Sequence, residues 1–593
     1  MTYNILTDSI RQDTEYSQLL AGVRQQLAAR NPQPLLVAGL CDGATTALQV
    51  SLIKDSKTLG SRIALIVCPD EKECRRTQET LSSFGIRTAF WQLRDLTFYN
   101  VTVSRDFEHE RLKVLFGILL GRFDAVVTTP DGALSFTLPE KVLKDHTMTF
   151  DFDHTVSLEE LSLRLIDAGY SRCELVEGMG QFAIRGGIID IFPPFASYRD
   201  TDGREFGGSY PVRIELFGDD VDRMVTFAPD TQRSRSTLES VTIPPAKEII
   251  TDKAALEALE SVLSARLRSL KKGENSDAVA EAAVEYASVK AALSEGTESP
   301  TVNFIDKYVT LVYPERVCLL DYIKSLTPIT FVMNTNAVNE RLKGAEWHMH
   351  KTIEDLLESA SVAPKYAEYS RPSADLEVFL TSTVSLHVDS LSYGMSGKRL
   401  GGMYGFRTRQ LVSYANNFEL LCDDLRTYVD TGYRTVVIAE NETAATNLCQ
   451  MLTEAGYTAS REAETGEFSA ENLPRKLVLI KYREALSPFE LFVPKFAIFS
   501  TVPDARRATG AAAVSLKRRA KKKKGSEAIL SYAELEVGDY VVHERYGIGR
   551  YTGIENLTWV KSGVKAAIPS RCRLFSGALF TRMIPAMGAC SGR

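Results

Sequence analysis

The chain has 593 residues, of which 44% are hydrophobic and 25% charged, and its net charge is −6. This length predicts several domains, and the composition is that of folded protein rather than disordered chain. The polar, acidic N-terminus lacks the basic start and apolar core of a secretory signal, so we expect none, and no apolar run is long enough to span a bilayer. The nine cysteines have neither paired nor metal-binding spacings, so we expect a cytoplasmic protein without a metal site or a membrane partner.

Residues 1–150 alternate apolar strands with helical stretches, which predicts a parallel sheet covered by helices. The segment from Pro34 to Ile53 has the strand–glycine loop–helix order of a phosphate-binding loop. Ala44 replaces its second glycine, Thr45 replaces its lysine, and Asp42 adds a negative charge. We therefore expect either a degenerate nucleotide loop or an ordinary strand–turn–helix, and no catalytic residues. The residues of this loop are Gly39, Gly43, Thr45 and Thr46.

A second strand, within Leu326 to Leu342, ends where a working ATPase has an acidic pair for magnesium and water. This chain has Asn334 and Thr335 there. The second nucleotide element is therefore also unsuited to catalysis.

The segment from about residue 155 to 245 reads as β-strands separated by Gly, Pro and Asp turns. Within "VRIELFG" the apolar and charged residues alternate, so its two sets of side chains should face opposite sides of a sheet. The face that carries a charged pair and an exposed phenylalanine is either solvated or a protein-binding surface. The two sets are Val212, Ile214 and Leu216, and Arg213, Glu215 and Phe217.

Two further regions follow. A small α/β unit is predicted near residues 410–500, with Asn441 as a helix N-cap. The basic run Lys517–Lys524 is either a solvated linker or a nucleic-acid contact. Glycine-punctuated strands from Val537 to Glu555 predict a small antiparallel barrel.

Two of these stretches resemble known domains. The text "GMGQFAIRGGIIDIFPP…YPVRIELFGDDVDRMVTFAPDTQRS" resembles the insert shared by the excinuclease B subunit and the bacterial transcription-repair coupling factor. "GDYVVHERYGIGRYTGIE" is similar to the start of the coupling factor's RNA-polymerase-interacting domain, which is related to CarD. The excinuclease subunit has no such barrel, so the combination selects the coupling factor, over about Pro34 to Leu557.

This resemblance implies an α/β multidomain chain with an adaptor role and no enzyme activity of its own. The family's ATP-driven DNA translocase is expected to be absent here, so ATP, magnesium and DNA would belong to the missing motor alone. UvrA and the RNA polymerase beta subunit are the implied partners of a monomer. The implied domains are a degenerate helicase-like lobe (1–154 and 246–405), an inserted α+β UvrB-type, UvrA-binding domain (155–245), a small α/β domain (406–499), a basic linker (500–534) and an incomplete, truncated SH3-like β-barrel with an aberrant tail (535–593).

The resemblance also implies site residues. The arginines would pair with partner carboxylates, and Glu215 would orient a neighbouring arginine. Phe182 and Phe192 are either apolar anchors or core. Because Arg213 points away from the apolar set, Arg213→Ala is expected to weaken UvrA binding without unfolding the domain. The UvrA-binding residues are Arg172, Phe182, Arg185, Phe192, Arg213 and Glu215, and the polymerase-binding residue is Leu557.

The text from Thr558 to Arg593 shows no strand pattern that aligns with the family. We therefore expect a truncated or out-of-frame end, an unclosed barrel, and weak or absent polymerase binding. Two alternative functions stay open, an active excinuclease B-like helicase and a stand-alone CarD-like transcription regulator. The degenerate loop argues against the first alternative, and the tail argues against the second.

Overall fold

The computed structural model describes residues 4–94, 96, 98, 106–153, 155, 157–271, 276–295, 304–389, 399–415, 417–462, 468–482 and 486–503, together with the backbone of six short segments between residues 540 and 585. Two compact units are present, residues 1–103 with 108–514, and residues 104–107 with 515–593. Among the helices of these described ranges, none combines the length and the apolar character needed to cross a bilayer.

The first part of the chain alternates strands and helices, as predicted. Polar residues cap several of its helices; Asp70, for example, accepts the Glu73 N–H at 2.8 Å at the start of α4. The helices are α1 (Ile5–Asp8), α2 (Thr14–Ala28), α3 (Asp42–Thr58), α4 (Glu71–Ser83), α5 (Asp106–Leu119), α6 (Pro130–Leu134) and α7 (Glu140–Asp145), with a 3₁₀ helix at Ser9–Gln12. The strands are β1 (Leu35–Ala38), β2 (Ala64–Val67), β3 (Thr88–Trp91) and β4 (Ala125–Thr128).

The insert is a nine-stranded sheet with one helix, and its strand order is β10-β9-β13-β12-β11-β8-β7-β6, with β5 paired to β13. Its neighbours are antiparallel apart from β6 and β7, which run parallel. Its elements are β5 (Met148–Asp151), α8 (Leu158–Asp167), β6 (Ser171–Arg172), β7 (Gln181–Arg185), β8 (Ile188–Phe192), β9 (Ala196–Asp200), β10 (Glu205–Gly208), β11 (Val212–Phe217), β12 (Asp220–Phe227) and β13 (Ser234–Ile243).

The chain then returns to the first sheet. Three later strands join the first four in the order β16-β1-β15-β14-β2-β4-β3, and every pair is parallel. The elements are α9 (Lys253–Leu270), α10 (Ser276–Glu295), α11 (Val309–Val312), α12 (Leu319–Lys324), β14 (Ile329–Met333), α13 (Thr335–Glu358), α14 (Ser373–Ser382), β15 (Val384–Asp389) and β16 (Gly402–Gly405), with 3₁₀ helices at Ile305–Tyr308 and Pro364–Tyr366.

This parallel sheet is buried on both faces. In β2, Ala64 and Ile66 pack into one apolar cluster, and Leu65 and Val67 pack into another on the opposite face. Burial on both sides explains why these strands read as continuous apolar runs instead of alternating ones. The predicted parallel α/β arrangement of this region is therefore confirmed.

A mixed sheet forms the small α/β region, in the order β17-β21-β22-β18-β20-β19. The predicted strand there is β18, and Asn441 caps the next helix by accepting the Ala444 N–H at 2.9 Å, which confirms the predicted N-cap. The elements are β17 (Thr408–Gln410), α15 (Phe418–Asp430), β18 (Arg434–Ala439), α16 (Glu442–Glu454), β19 (Thr458–Arg461), β20 (Leu477–Tyr482), β21 (Phe489–Leu491) and β22 (Phe496–Ser500).

A buried charge network lies where the chain leaves the insert. Glu248, whose side chain is fully buried, accepts two hydrogen bonds of 2.8 Å from Arg111 and pairs with Arg94 at 2.9 Å. Thr137 donates a further hydrogen bond to the carboxylate. Burial by itself raises the pKa of Glu248, but the charges of Arg111 and Arg94 outweigh burial and lower the pKa to about 2. This carboxylate is therefore held as an anion.

The second unit contains strands beyond Thr558, where the sequence shows no strand pattern that aligns with the family. The sheets have the orders β24-β23-β28 and β25-β26-β27. β25 continues through β-favouring Trp559 and Val560 and pairs antiparallel with β26. The expected incomplete barrel stays a prediction. The basic run Lys517–Lys524 lies outside the described residues. The strands are β23 (Tyr540–His543), β24 (Gly547–Arg550), β25 (Ile554–Lys561), β26 (Val564–Arg573), β27 (Leu579–Phe580) and β28 (Ile584–Pro585).

Candidate functional site

The face of the insert sheet opposite its core is organised around one carboxylate. Asp190, in the middle of β8, has a fully buried side chain. Arg213, which lies directly opposite on β11, donates Nε to Oδ1 at 2.7 Å and Nη2 to Oδ2 at 2.9 Å. Arg185 of β7 also donates to Oδ2 of Asp190. One buried anion therefore positions two of the predicted arginines, and paired charges of this kind are tolerated inside proteins.

Arg213 is held on its other sides as well. Its Nη2 donates to the side-chain oxygen of Gln232 at 3.1 Å, and its guanidinium lies 4.8 Å from the ring centroid of Phe227. The hydrogen bond to Asp190 raises the pKa of Arg213, so the side chain stays charged. Because only 17% of this side chain is exposed, its main electrostatic partner is intramolecular. Arg213→Ala would therefore leave the buried Asp190 carboxylate without its bidentate partner, a cost in stability that the sequence alone does not indicate. That the domain still folds without this guanidinium stays a prediction.

The alternation predicted for β11 is present. Val212 and Ile214 are buried in the insert core, while Glu215 is half-buried and Phe217 is 83% exposed on the opposite face. Glu215 accepts a hydrogen bond of 3.2 Å from Arg223 of the neighbouring strand. Glu215 thus holds an arginine, as predicted, but one that the sequence had not singled out.

Arg172 lies apart from the other predicted arginines. It pairs with Phe182 across β6 and β7, and directly opposed residues share a face of the sheet, so it lies on the core side at the sheet edge. There it is exposed and lines a shallow pocket with the α8 residues Leu163 and Ile166 and with Ile184 of β7. The structure therefore brings Arg185, Arg213 and Glu215 together on the outer face and separates Arg172 from them.

The two predicted phenylalanines differ from each other. Phe182 is fully buried among the insert core residues, so of its two alternatives the core one is right and the apolar anchor is wrong. Phe192 is half-buried on the outer face, where it packs against a small cluster of Val176, Ala183 and Phe227. Its side chain therefore belongs to the apolar cluster on which the Arg213 guanidinium lies.

The degenerate phosphate loop has the predicted strand–turn–helix geometry, but the chain itself occupies it. The Cys41 N–H donates to the Thr408 hydroxyl at 2.8 Å, and that hydroxyl donates to the Gly39 carbonyl at 2.8 Å. A Cβ atom built on Gly43 would lie 2.2 Å from the carbonyl oxygen of Ser487. The space and the N–H that a phosphate would use are taken by residues of β17 and of the segment before β21.

The charged and hydroxyl groups of this loop are also engaged. Asp42 pairs with Arg76 at 3.1 Å, and the Thr46 hydroxyl donates to the Asp42 carbonyl at 3.3 Å. Thr45, in the position of the lysine, donates its backbone N–H to Cys41 within the first turn of α3. These groups of the loop thus have partners within the chain.

The second nucleotide element is arranged similarly. Asn334 adopts a left-handed conformation (φ 54°) and caps α13 by accepting the Ala337 N–H at 3.3 Å. Thr335 donates its N–H and its hydroxyl to Asp389, at 2.7 and 2.8 Å, in a buried position at the end of β15. These residues therefore join the carboxyl ends of the neighbouring interior strands β14 and β15.

Leu557 is described through its backbone. It lies in β25, opposite Ile568 of β26, just after a shift in strand register that follows Glu555. β25 is the terminal strand of the order β25-β26-β27. An outer strand is the position from which a sheet can pair with a strand of a partner.

Sequence reasoning missed three residues of the outer face: Asp190, Arg223 and Gln232. The position of Asp190 was readable, since it is the one charged residue in the apolar run "GIIDIF". Its partner, Arg213, lies 23 residues away, so the pairing required the strand register.

Comparison with known proteins finds family matches in two parts of the chain. A family described as the UvrB interaction domain matches residues 148–249, and one described as the CarD-like/TRCF RID domain matches residues 535–565. These matches contain the insert sheet and the strand that carries Leu557.

The relatives that align with most of this chain share one name. The transcription-repair-coupling factor of Bacillus subtilis (strain 168) is 28% identical over 568 residues, which cover 92% of this chain and 44% of that protein. Those of Staphylococcus aureus (strain MRSA252) and Staphylococcus haemolyticus (strain JCSC1435) are 23% and 24% identical, over 93% and 77% of this chain. The chain thus spans less than half the length of these relatives, and its predicted likeness to transcription-repair coupling factors is confirmed.

Proposed function

We propose that this chain is an adaptor in transcription-coupled nucleotide excision repair that joins stalled RNA polymerase to UvrA. The matches to the UvrB interaction domain and to the CarD-like/TRCF RID domain support one docking region for each partner. The observation that carries the UvrA side is the arrangement of two arginines on one buried carboxylate at the outer face of the insert.

The chemistry of this face suits an acidic partner surface. The Arg185 side chain is 44% exposed although one of its nitrogens is held by Asp190, so the guanidinium is positioned before any partner arrives. A preorganised arginine loses less conformational freedom on binding than a mobile one, and its planar group pairs well with carboxylates. Arg213, beneath it, acts mainly by fixing the geometry of Asp190.

On the polymerase side, we propose that the outer strand β25 contacts the RNA polymerase beta subunit near Leu557. The expectation of weak polymerase binding depended on missing closing strands, and β26, β27 and β28 supply strands beyond Thr558. Replacing Leu557 by arginine should abolish capture of polymerase by the purified chain. Unchanged capture by Leu557→Arg would remove β25 from this role.

The proposal assigns no nucleotide chemistry to these residues. Thr408 takes up the Cys41 N–H and Ser487 lies against Gly43, while Asn334 and Thr335 stand where the acidic pair would be. This argues against the alternative of an active excinuclease B-like helicase. ATP, magnesium and DNA contact are accordingly not proposed for this part of the protein.

The proposed UvrA contact is tested by titrating purified UvrA into the chain and into Arg185→Ala. Arg185→Ala should weaken binding by about tenfold or more while the protein melts normally, because the lost group is partly exposed. Arg316→Ala is the matched control, since Arg316 is similarly exposed and pairs with Glu368 at 3.0 Å outside the insert. Absence of binding by the unaltered chain, or equal binding by both variants, would contradict the proposal.

A further inference from the structure

An apolar side chain stands out on the same face. Phe217, at the end of β11, is 83% exposed, which is the largest exposed fraction among the large apolar side chains of the described residues. It pairs with Asp220 across the two-residue turn that joins β11 to β12, and Gly218 in that turn has φ +66°. The hairpin therefore fixes the position of a phenylalanine whose ring faces solvent.

Its surroundings complete a small patch. Phe217 follows Glu215 by two residues and so shares its face of the sheet, and Ile188, 37% exposed, lies directly opposite Glu215. Arg185 lies opposite Ile188 on the next strand, and Arg223 lies opposite Glu215 on the other side. We call these five residues the outer patch: Arg185, Ile188, Glu215, Phe217 and Arg223.

A glycine turn lies beside the end of β11. The Leu216 N–H donates to the Gly187 carbonyl at 2.8 Å, which places the turn of Gly186 and Gly187 beside the end of β11. A Cβ atom on Gly186 would meet no atom within 4 Å. With 83% of its side chain exposed, Phe217 is accessible to a partner beside this turn.

Such an arrangement resembles the energetic centre of a protein interface more than a solvated sheet face. A rigid aromatic side chain contributes large apolar area at a small loss of conformational freedom, and flanking charges supply register. A phenylalanine with this exposure contributes little to the stability of its own domain, because most of its surface stays in water whether the chain is folded or unfolded.

We propose that Phe217 is the apolar anchor of the partner interface. Its ring enters an apolar pocket on UvrA, and Arg185 pairs with a carboxylate at the rim of that pocket. This inference rests on the proposed function and adds to it the residue that determines most of the affinity.

The test is a titration of UvrA with the full chain and with Phe217→Ala and Phe217→Leu. Phe217→Ala should lower affinity by about 30-fold or more, and Phe217→Leu by less, with unchanged melting temperatures. Trp347→Ala is the control, because Trp347 is 64% exposed on α13 of the parallel-sheet lobe and should leave affinity unchanged.

The outcomes separate the two proposals. If Arg185→Ala weakens binding but Phe217→Ala binds like the unaltered chain, the anchor is overturned and the docking face stands. If the unaltered chain does not bind UvrA, both proposals are overturned. Equal losses in Phe217→Ala and Trp347→Ala would also overturn the anchor, because the effect would then follow exposed aromatic area in general.

Discussion

The degenerate phosphate loop and the outer face of the insert differ in how far their polar groups are exposed. The loop pairs them within the chain, and the outer face leaves an arginine partly exposed. At the loop, Thr408 and Ser487 take up the N–H and the space that an anion would need. On the insert, Asp190 binds two arginines from beneath and leaves Arg185 partly exposed. Both regions contain charges in a β-sheet framework, and they differ in whether the chain covers them.

This difference distinguishes residues that stabilise the fold from residues that bind a partner. Where every polar group has an internal partner, a substitution changes stability, and little remains for a ligand to gain. Where a buried group preorganises an exposed one, a substitution can change binding with little effect on stability. The predictions below test on which side of this division each residue falls.

The largest expected effect is on the stability of the insert. Arg213→Ala should lower the free energy of unfolding by about 3–5 kcal/mol, because the buried carboxylate of Asp190 loses its bidentate partner. Denaturant unfolding measures the change, and removing Asp190 as well should recover part of the loss. Arg316→Ala, at an exposed pair, should cost about 0–1 kcal/mol. An Arg213→Ala protein as stable as the unaltered chain would place Arg213 among the pure docking residues.

The buried network at Glu248 should respond to pH. The pKa of this carboxyl is lowered to about 2 in the folded chain, so its contribution is present above its unfolded value of about 4.5 and is lost as the pH falls towards about 2. Glu248→Gln should cost about 3 kcal/mol at neutral pH. The difference in unfolding free energy between the two proteins should shrink by more than half near pH 3. A difference that stays constant with pH would show that the charge of Glu248 does not matter.

The filled loop gives a smaller effect. Gly43→Val should destabilise the chain by about 1–3 kcal/mol, because the new side chain overlaps the Ser487 carbonyl and the Phe489 ring. Gly344→Ala is the contrasting control: no atom lies within 4 Å of its Cβ position, and alanine is favoured in the middle of α13 by about 0.5–1 kcal/mol. Thermal melts of both variants should therefore shift in opposite directions, and a shift in the same direction would argue that the loop is open.

The last substitution, in the degenerate phosphate loop, is expected to have no effect on nucleotide binding. Thr45→Lys restores the lysine of a phosphate-binding loop, yet the variant should not bind or hydrolyse ATP, because Thr408 still occupies the Cys41 N–H. Equilibrium binding of a fluorescent ATP analogue tests this. Saturable binding, or hydrolysis stimulated by DNA and lost on mutating Thr46, would mean that the loop opens to admit a nucleotide.

The sequence was sufficient where local periodicity decides the structure. The alternation in β11 predicts that Val212 faces the core and that Arg213 and Phe217 face the other side of the sheet. The continuous apolar runs predict the parallel sheet. Periodicity could not decide whether Phe182 was anchor or core, because that depends on which face of β7 the strand register buries.

Contacts between distant residues account for most of what was missed. Thr408 lies 367 residues beyond Cys41, so nothing in the loop itself indicates that it is filled. The antiparallel pairing of β25 with β26 does not follow from the family pattern, because residues from Thr558 onward do not align with it. The domain boundaries and the binding roles of the site residues stay predictions.

Hydrogen–deuterium exchange of the full chain with and without UvrA tests the central claim most directly, because it observes both contrasted regions in one experiment. The account predicts that UvrA slows exchange in peptides covering residues 183–190 and 213–223 and leaves residues 39–46 unchanged. UvrA that binds without protecting the insert peptides, or that protects the loop instead, would contradict it.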